Sequence, residues 1–147
     1  MEERGLMACS MLVREPRVAI LLKDEVPRVT SALIETVEVK DAQSPFLHNQ
    51  EDETLYVLES SLNVWVAGNW LDVSAGTAVF LPHGVEHALI VATETARMLI
   101  FIVSAGFEGF CRGIGATGTS PLNVERLVTT AASYDCEITG PPPEIIR

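Results

Sequence analysis

The feature that most constrains this chain is a succession of short apolar runs, each cut off within a few residues by turn-forming side chains. The runs fall at residues 18–22, 31–40, 54–58, 63–66, 71–73, 78–81, 88–91 and 98–103. The breaks between them carry Pro27, Pro45, Ala67-Gly68-Asn69, Ser74-Ala75-Gly76, Pro82-His83-Gly84 and the polar stretch 92–95. Runs this short, rich in β-branched residues such as Ile34, Thr36, Val37 and Val39, predict strands rather than helices. Regular spacing with Gly and Pro breaks predicts an all-β antiparallel sandwich or barrel. A parallel α/β sheet is disfavoured, because no helical pattern of roughly 10–15 residues separates the runs. The run 18–22 reads as an edge strand, and 54–58 and 63–66 read as a hairpin. Tyr56, Trp65, Trp70, Phe80 and Phe101 read mainly as core filling. Glu35, in mid-strand, is either outward-facing or a second inward carboxylate.

The two ends differ from this body. Residues 1–16 show no sustained period and read as a loose N-terminal arm, leaving 17–147 as one domain. After Ser104 the pattern becomes helical. Residues 106–113 place Phe107, Phe110 and Cys111 on one side, where Phe110 and Cys111 stand to cap a barrel mouth. Ser120-Pro121 then supplies an N-cap and first-turn proline. Val124, Leu127, Val128 and Ala131 follow at helical spacing to about Tyr134. Two helices packed outside the barrel are therefore expected, followed by an extended tail at 141–143. The GxGxxG string at 113–118 has a helix pattern before it rather than a strand, so it reads as a loop and not as a dinucleotide fingerprint.

Charge and cysteine content narrow the setting. Ten Lys and Arg face twenty Asp and Glu, a net charge of −10 over 147 residues. Such a surface repels phosphate backbones and anionic bilayers, so neither nucleic acid nor a membrane is expected as partner. The start Met1-Glu2-Glu3-Arg4 is acidic and runs into no apolar stretch of the kind a secretory leader has. Cys9, Cys111 and Cys136 are odd in number and form no CxxC pair. They read as reduced thiols, and the expected location is the cytoplasm.

Only three histidines occur, His48, His83 and His87, and the acidic cluster Glu51-Asp52-Glu53 lies close to His48. Imidazoles and a carboxylate meeting in a barrel mouth make a metal-binding set. Strand alternation puts Phe46 and His48 on one face and Glu53 on the opposite parity, so a register break at Asn49-Gln50 is needed to bring both inward. His83, one residue after Pro82, reads as a surface residue.

These two segments resemble the two motifs of the cupin superfamily, and more narrowly the small single-domain cupins similar to quercetin dioxygenase. The stretch EDETLYVLE at 51–59 resembles the first motif. Aligned on Glu53, the second histidine of that motif falls on His48, the first falls on Phe46, and its closing glycine falls on Ser60. Gly76, Pro82, Gly84 and His87 match the second motif throughout. AGFEGFCRGIG at 105–115 and ITGPPP at 138–143 add to the likeness, which covers about residues 30 to 143. It implies a cupin-type antiparallel barrel, or jelly roll.

The resemblance also implies a metal site of three histidines and one glutamate, and this chain departs from it. His48, Glu53 and His87 are kept, while Phe46 stands where a ligand is expected. The first motif is therefore degenerate. The expected cofactor is either none or a weakly bound divalent metal (Fe, Zn, Ni or Mn) held by His48, Glu53 and His87.

Three functions are compatible with this. The first is an enzyme that reshapes a small hydrophobic organic molecule, such as a polyketide-like intermediate, by cyclisation, isomerisation or elimination. Glu53, His87 and His48 would then be the catalytic groups, and Phe46, Leu55, Val57, Phe80 and Leu89 would line the substrate pocket. A carboxylate beside apolar walls has its pKa raised, as acid/base work requires. The second is a non-haem dioxygenase with a 2-His-1-Glu site. The third is a non-catalytic module that binds a small ligand. Exposed edge strands of small barrels pair readily, so a homodimer is expected.

Overall fold

In the computed structural model, the described residues are 7–9, 17–22, 31–40, 46–48, 51–103, 109–110 and 124–139. The strands are β1 (Met7–Cys9), β2 (Arg17–Leu22), β3 (Ser31–Val39), β4 (Phe46–His48), β5 (Asp52–Glu59), β6 (Ser61–Val66), β7 (Asn69–Ser74), β8 (Ala78–Leu81), β9 (His87–Val91), β10 (Thr95–Val103) and β11 (Cys136–Ile138). One helix, α1 (Val124–Ala132), precedes β11.

The strands form a six-stranded sheet in the order β1-β2-β3-β10-β5-β8 and a five-stranded sheet in the order β11-β4-β9-β6-β7. All pairings are antiparallel. The all-β, jelly-roll-type architecture expected from the sequence is present.

Alternation sets the two faces. On β5, Glu53, Leu55 and Val57 are buried while Tyr56 and Glu59 are exposed. On β3, Ala32, Ile34 and Thr36 are buried. The core joins Leu55, Val57, Val79, Leu81, Ala96 and Met98 of the first sheet to Leu62, Val64, Val73 and Val91 of the second. Burying such side chains contributes roughly 1.5–3 kcal/mol each, and this holds the sheets face to face.

Several expectations need correction. The runs 54–58 and 63–66 do not form a hairpin, because β5 and β6 lie in different sheets. The chain crosses between sheets at Ser60, whose φ of 70° supplies the sharp bend. β2 is not an edge strand, since β1 adds to its free side with Met7 opposite Ile20. The N-terminal stretch is thus not wholly a loose arm. A three-residue strand is too short to show a period of two, and its pairing uses backbone groups that any sequence carries.

Tyr56, Phe80 and Phe101 are not core residues. They occupy the outward parity of their strands and are exposed. Glu35 is likewise off the buried parity of β3, and it pairs with Arg97 at 2.6 Å.

Two C-terminal helices are not supported. α1 is the helix described there, and of the expected helix at 106–113 only Gly109 and Phe110 are described, both helical. The N-cap and proline at 120–121, the loop at 113–118 and the tail at 141–143 lie outside the described residues. So does Cys111. No described helix is long and apolar enough to cross a membrane.

Candidate functional site

Two strand starts, one from each sheet, build the site. Glu53 stands on the buried parity of β5, one step before Leu55. His87 opens β9, ahead of the partly buried Leu89 and the buried Val91. Facing sheets bring the two together, with Nε2 of His87 3.4 Å from Oε2 of Glu53. His87 is 3% and Glu53 6% exposed.

The turn before β9 aims the imidazole. Gly76 and Gly84 have φ of 85° and 71°, a left-handed backbone that favours glycine, so both motif glycines have a conformational reason. The amide of Val85 donates to the carbonyl of Pro82 at 3.3 Å. Asp52, next to Glu53, ties this turn to β5. Its Oδ1 accepts from the His83 amide at 2.9 Å and lies 2.7 Å from His83 Nδ1. The His83 amide and side-chain hydrogen bonds hold the Asp52 carboxyl below its usual range. His83 is exposed, as expected, but it is engaged in this tie rather than free.

The tautomer of His87 follows from its other partner. Nδ1 donates to the carbonyl of Val85 at 3.2 Å, which leaves Nε2 facing Glu53. Burial pulls the His87 pKa down. The hydrogen bond and charge of Glu53, the Val85 carbonyl and the charge of Glu86 outweigh it, and the net shift is upward. The pair therefore favours imidazolium against carboxylate.

The C-terminal strand completes the surroundings. β11 pairs with β4, placing Cys136 opposite His48 and Ile138 opposite Phe46. Thr139 donates to Glu86, beside His87. Cys136 is fully buried. Burial, then the charges of Glu53, Glu51 and Glu137, push its thiol up to about 12. Cys136 and the buried Glu51 are site neighbours that the sequence reading did not single out. No local signal marks Cys136, because its neighbourhood arises from a pairing between strands far apart in sequence.

The remaining expected residues divide. Leu55 and Val57 belong to the packed core, and Leu89 packs against it. Phe80 does not line the interior. β8 alternates with Val79 and Leu81 inward, which turns Phe80 to the outer face. The side chains of Phe46 and His48 lie outside the described residues. Their backbone register is described, and it sets Phe46 opposite His87. The position across from His87 thus carries no donor atom. His48 and Glu53 sit on different strands of different sheets, so parity within one strand does not relate them. Among the described residues no group of three or more His, Cys, Asp or Glu side chains is arranged to hold a metal ion. These residues do not fit a metal centre.

Residues 33–103 match the family model described as "Cupin domain". KdgF from Halomonas sp. is similar, with a TM-score of 0.57 at 16% identity, covering 64% of this chain and 83% of that one. A Thermotoga maritima protein described as a predicted oxalate decarboxylase gives 0.56 at 18% identity, covering 60% and 80%. The Cnp3 cupin domain of Schizosaccharomyces pombe gives 0.54 at 18% identity, covering 67% and 72%. At such identities the likeness shows the fold alone. The search of curated proteins found no match.

Proposed function

From the premise that this chain carries a cupin domain over residues 33–103, we propose that it is an enzyme acting on a small hydrophobic organic molecule by proton transfer. The reaction class is isomerisation, cyclisation or elimination beside a carbonyl group. The observation that carries this reading is the buried His87–Glu53 pair, 3.4 Å apart at the edge of an apolar interior.

Each group has a role that follows from its surroundings. The Glu53 carboxylate takes a proton from the carbon next to the carbonyl. The His87 imidazolium donates its Nε2 proton to the oxygen where negative charge gathers, or returns it at a second carbon. Val85 holds the ring through Nδ1, so the same nitrogen always faces the reaction. Apolar walls exclude water and strengthen both interactions. Positioned acid/base groups of this kind contribute typically 10²–10⁴-fold in rate. No step here passes through a metal, in keeping with the donor set.

The test is deuterium uptake from heavy water by a panel of enolisable aromatic ketones, followed by NMR. The protein is expected to accelerate exchange for at least one member, with Glu53→Gln and His87→Gln losing the effect. Exchange that survives both substitutions, or none across the panel, refutes the proposal.

A further inference from the structure

The outer face of the six-stranded sheet carries an apolar patch that the site does not use. Register aligns one row across four strands: Leu33 on β3, Phe101 on β10, Thr54 on β5 and Phe80 on β8. This row contains no charged residue. Tyr56 and Leu99 lie opposite each other in the next row, and Val103 lies on the far side. Phe80 is 59%, Val103 44%, Tyr56 42% and Phe101 39% exposed.

Charge frames this patch. Arg97 bridges Glu35 and Glu59 at one end, at 2.6 and 3.0 Å. Asp52 and His83 pair at the other. An uncharged centre inside a rim of ion pairs is the anatomy of a protein interface.

We infer that this face is where two copies of the chain associate, sheet against sheet, about a two-fold axis near the Phe101–Thr54–Phe80 row. Taking about 200 Å² for a whole aromatic side chain, the six apolar residues expose on the order of 400 Å². That is about half of the roughly 800 Å² each partner contributes to a standard interface, which is the share an apolar centre takes within its rim. A second copy fits better than a bilayer, because a chain of net charge −10 is repelled by anionic lipid. At this row two such acidic chains approach without setting charge against charge. A two-fold contact also sets each aromatic side chain against its own equivalents, so one patch serves both partners.

Sedimentation velocity across a concentration series tests this. The protein is expected to sediment at twice its 16.0 kDa chain mass. Phe80→Glu and Phe101→Glu should each raise the dimer dissociation constant by about 100-fold or more, since carboxylates then face each other across the axis. Far-UV circular dichroism should stay unchanged, because both positions are exposed. Thr54→Arg supplies the same repulsion should either variant fail to fold. Leu71→Glu, an exposed position on the other sheet, should leave the dimer intact. A monomer at every concentration, a dimer that the face variants leave intact, or one dispersed equally by Leu71→Glu overturns the inference. A monomer that floats with phosphatidylcholine vesicles overturns it too, and assigns the face to a membrane.

Discussion

Nε2 of His87 and Oε2 of Glu53 stand 3.4 Å apart, on strands that belong to opposite sheets. Folding therefore couples the titration of one residue to the other. The His87 pKa is raised in the folded protein above its ordinary 6.5. A raised pKa means that the folded state binds the proton more tightly. The resulting stabilisation is complete below pH 6.5 and is lost as pH rises through the folded value. Urea unfolding at a series of pH values should show this decline. Glu53→Gln removes the two largest raising effects and leaves burial dominant, so the His87 pKa should fall below 6.5 and the slope should reverse in sign. NMR titration of the imidazole reads the same change directly.

His87→Ala should damage proton transfer far more than folding. The expected loss in kcat is about 10²–10⁴-fold, as for a lost acid/base group. Equal losses of activity and of unfolding free energy would mark a structural histidine.

Position 46 lies opposite His87 in the β4–β9 pairing. Phe46→His sets an imidazole there and restores a His-x-His pair with His48. Nickel affinity, measured by calorimetry, should rise about tenfold or more over the natural chain, since each added imidazole replaces bound water. Proton-transfer activity should fall, because a polar ring replaces an apolar one. An activity that chelators abolish and Phe46→His improves would instead establish metal chemistry.

Cys136 should be chemically silent in the folded state. With its thiol at about 12, the reactive thiolate is scarce at pH 8. In a Cys9→Ser, Cys111→Ser background, disulfide-exchange reagents should modify it slowly until urea unfolds the chain. Its raised pKa also lowers stability as pH climbs from 9 toward 12, because the unfolded thiol ionises first.

Ser60 bends the chain from one sheet to the other with φ of 70°. A side chain in that conformation is strained, and glycine is not. Ser60→Gly should raise the unfolding free energy by about 0.5–1 kcal/mol after its unfolded-state entropy is counted. Urea melts of the two proteins check this.

Where strands begin and end, and which residues within a strand share a face, are local properties, and the sequence by itself determined both. Breaks such as Pro82-His83-Gly84 delimit β8 and β9, and the spacing of Glu53, Leu55 and Val57 puts them on one side of β5. The importance of His87 and Glu53 was also legible, through their place in the two cupin-like segments. Which face of each strand turns inward depends on the opposite sheet. For that reason Tyr56, Phe80 and Phe101, hydrophobic enough for a core, emerge on the outside. Likewise, β5 and β6 are adjacent in sequence yet lie in different sheets, while β4 and β11 are distant yet paired. Cys136 thus comes to lie opposite His48. Backbone pairing accepts almost any sequence, so the choice of partner strand rests with the packing of the whole core, and only the tertiary structure decided it.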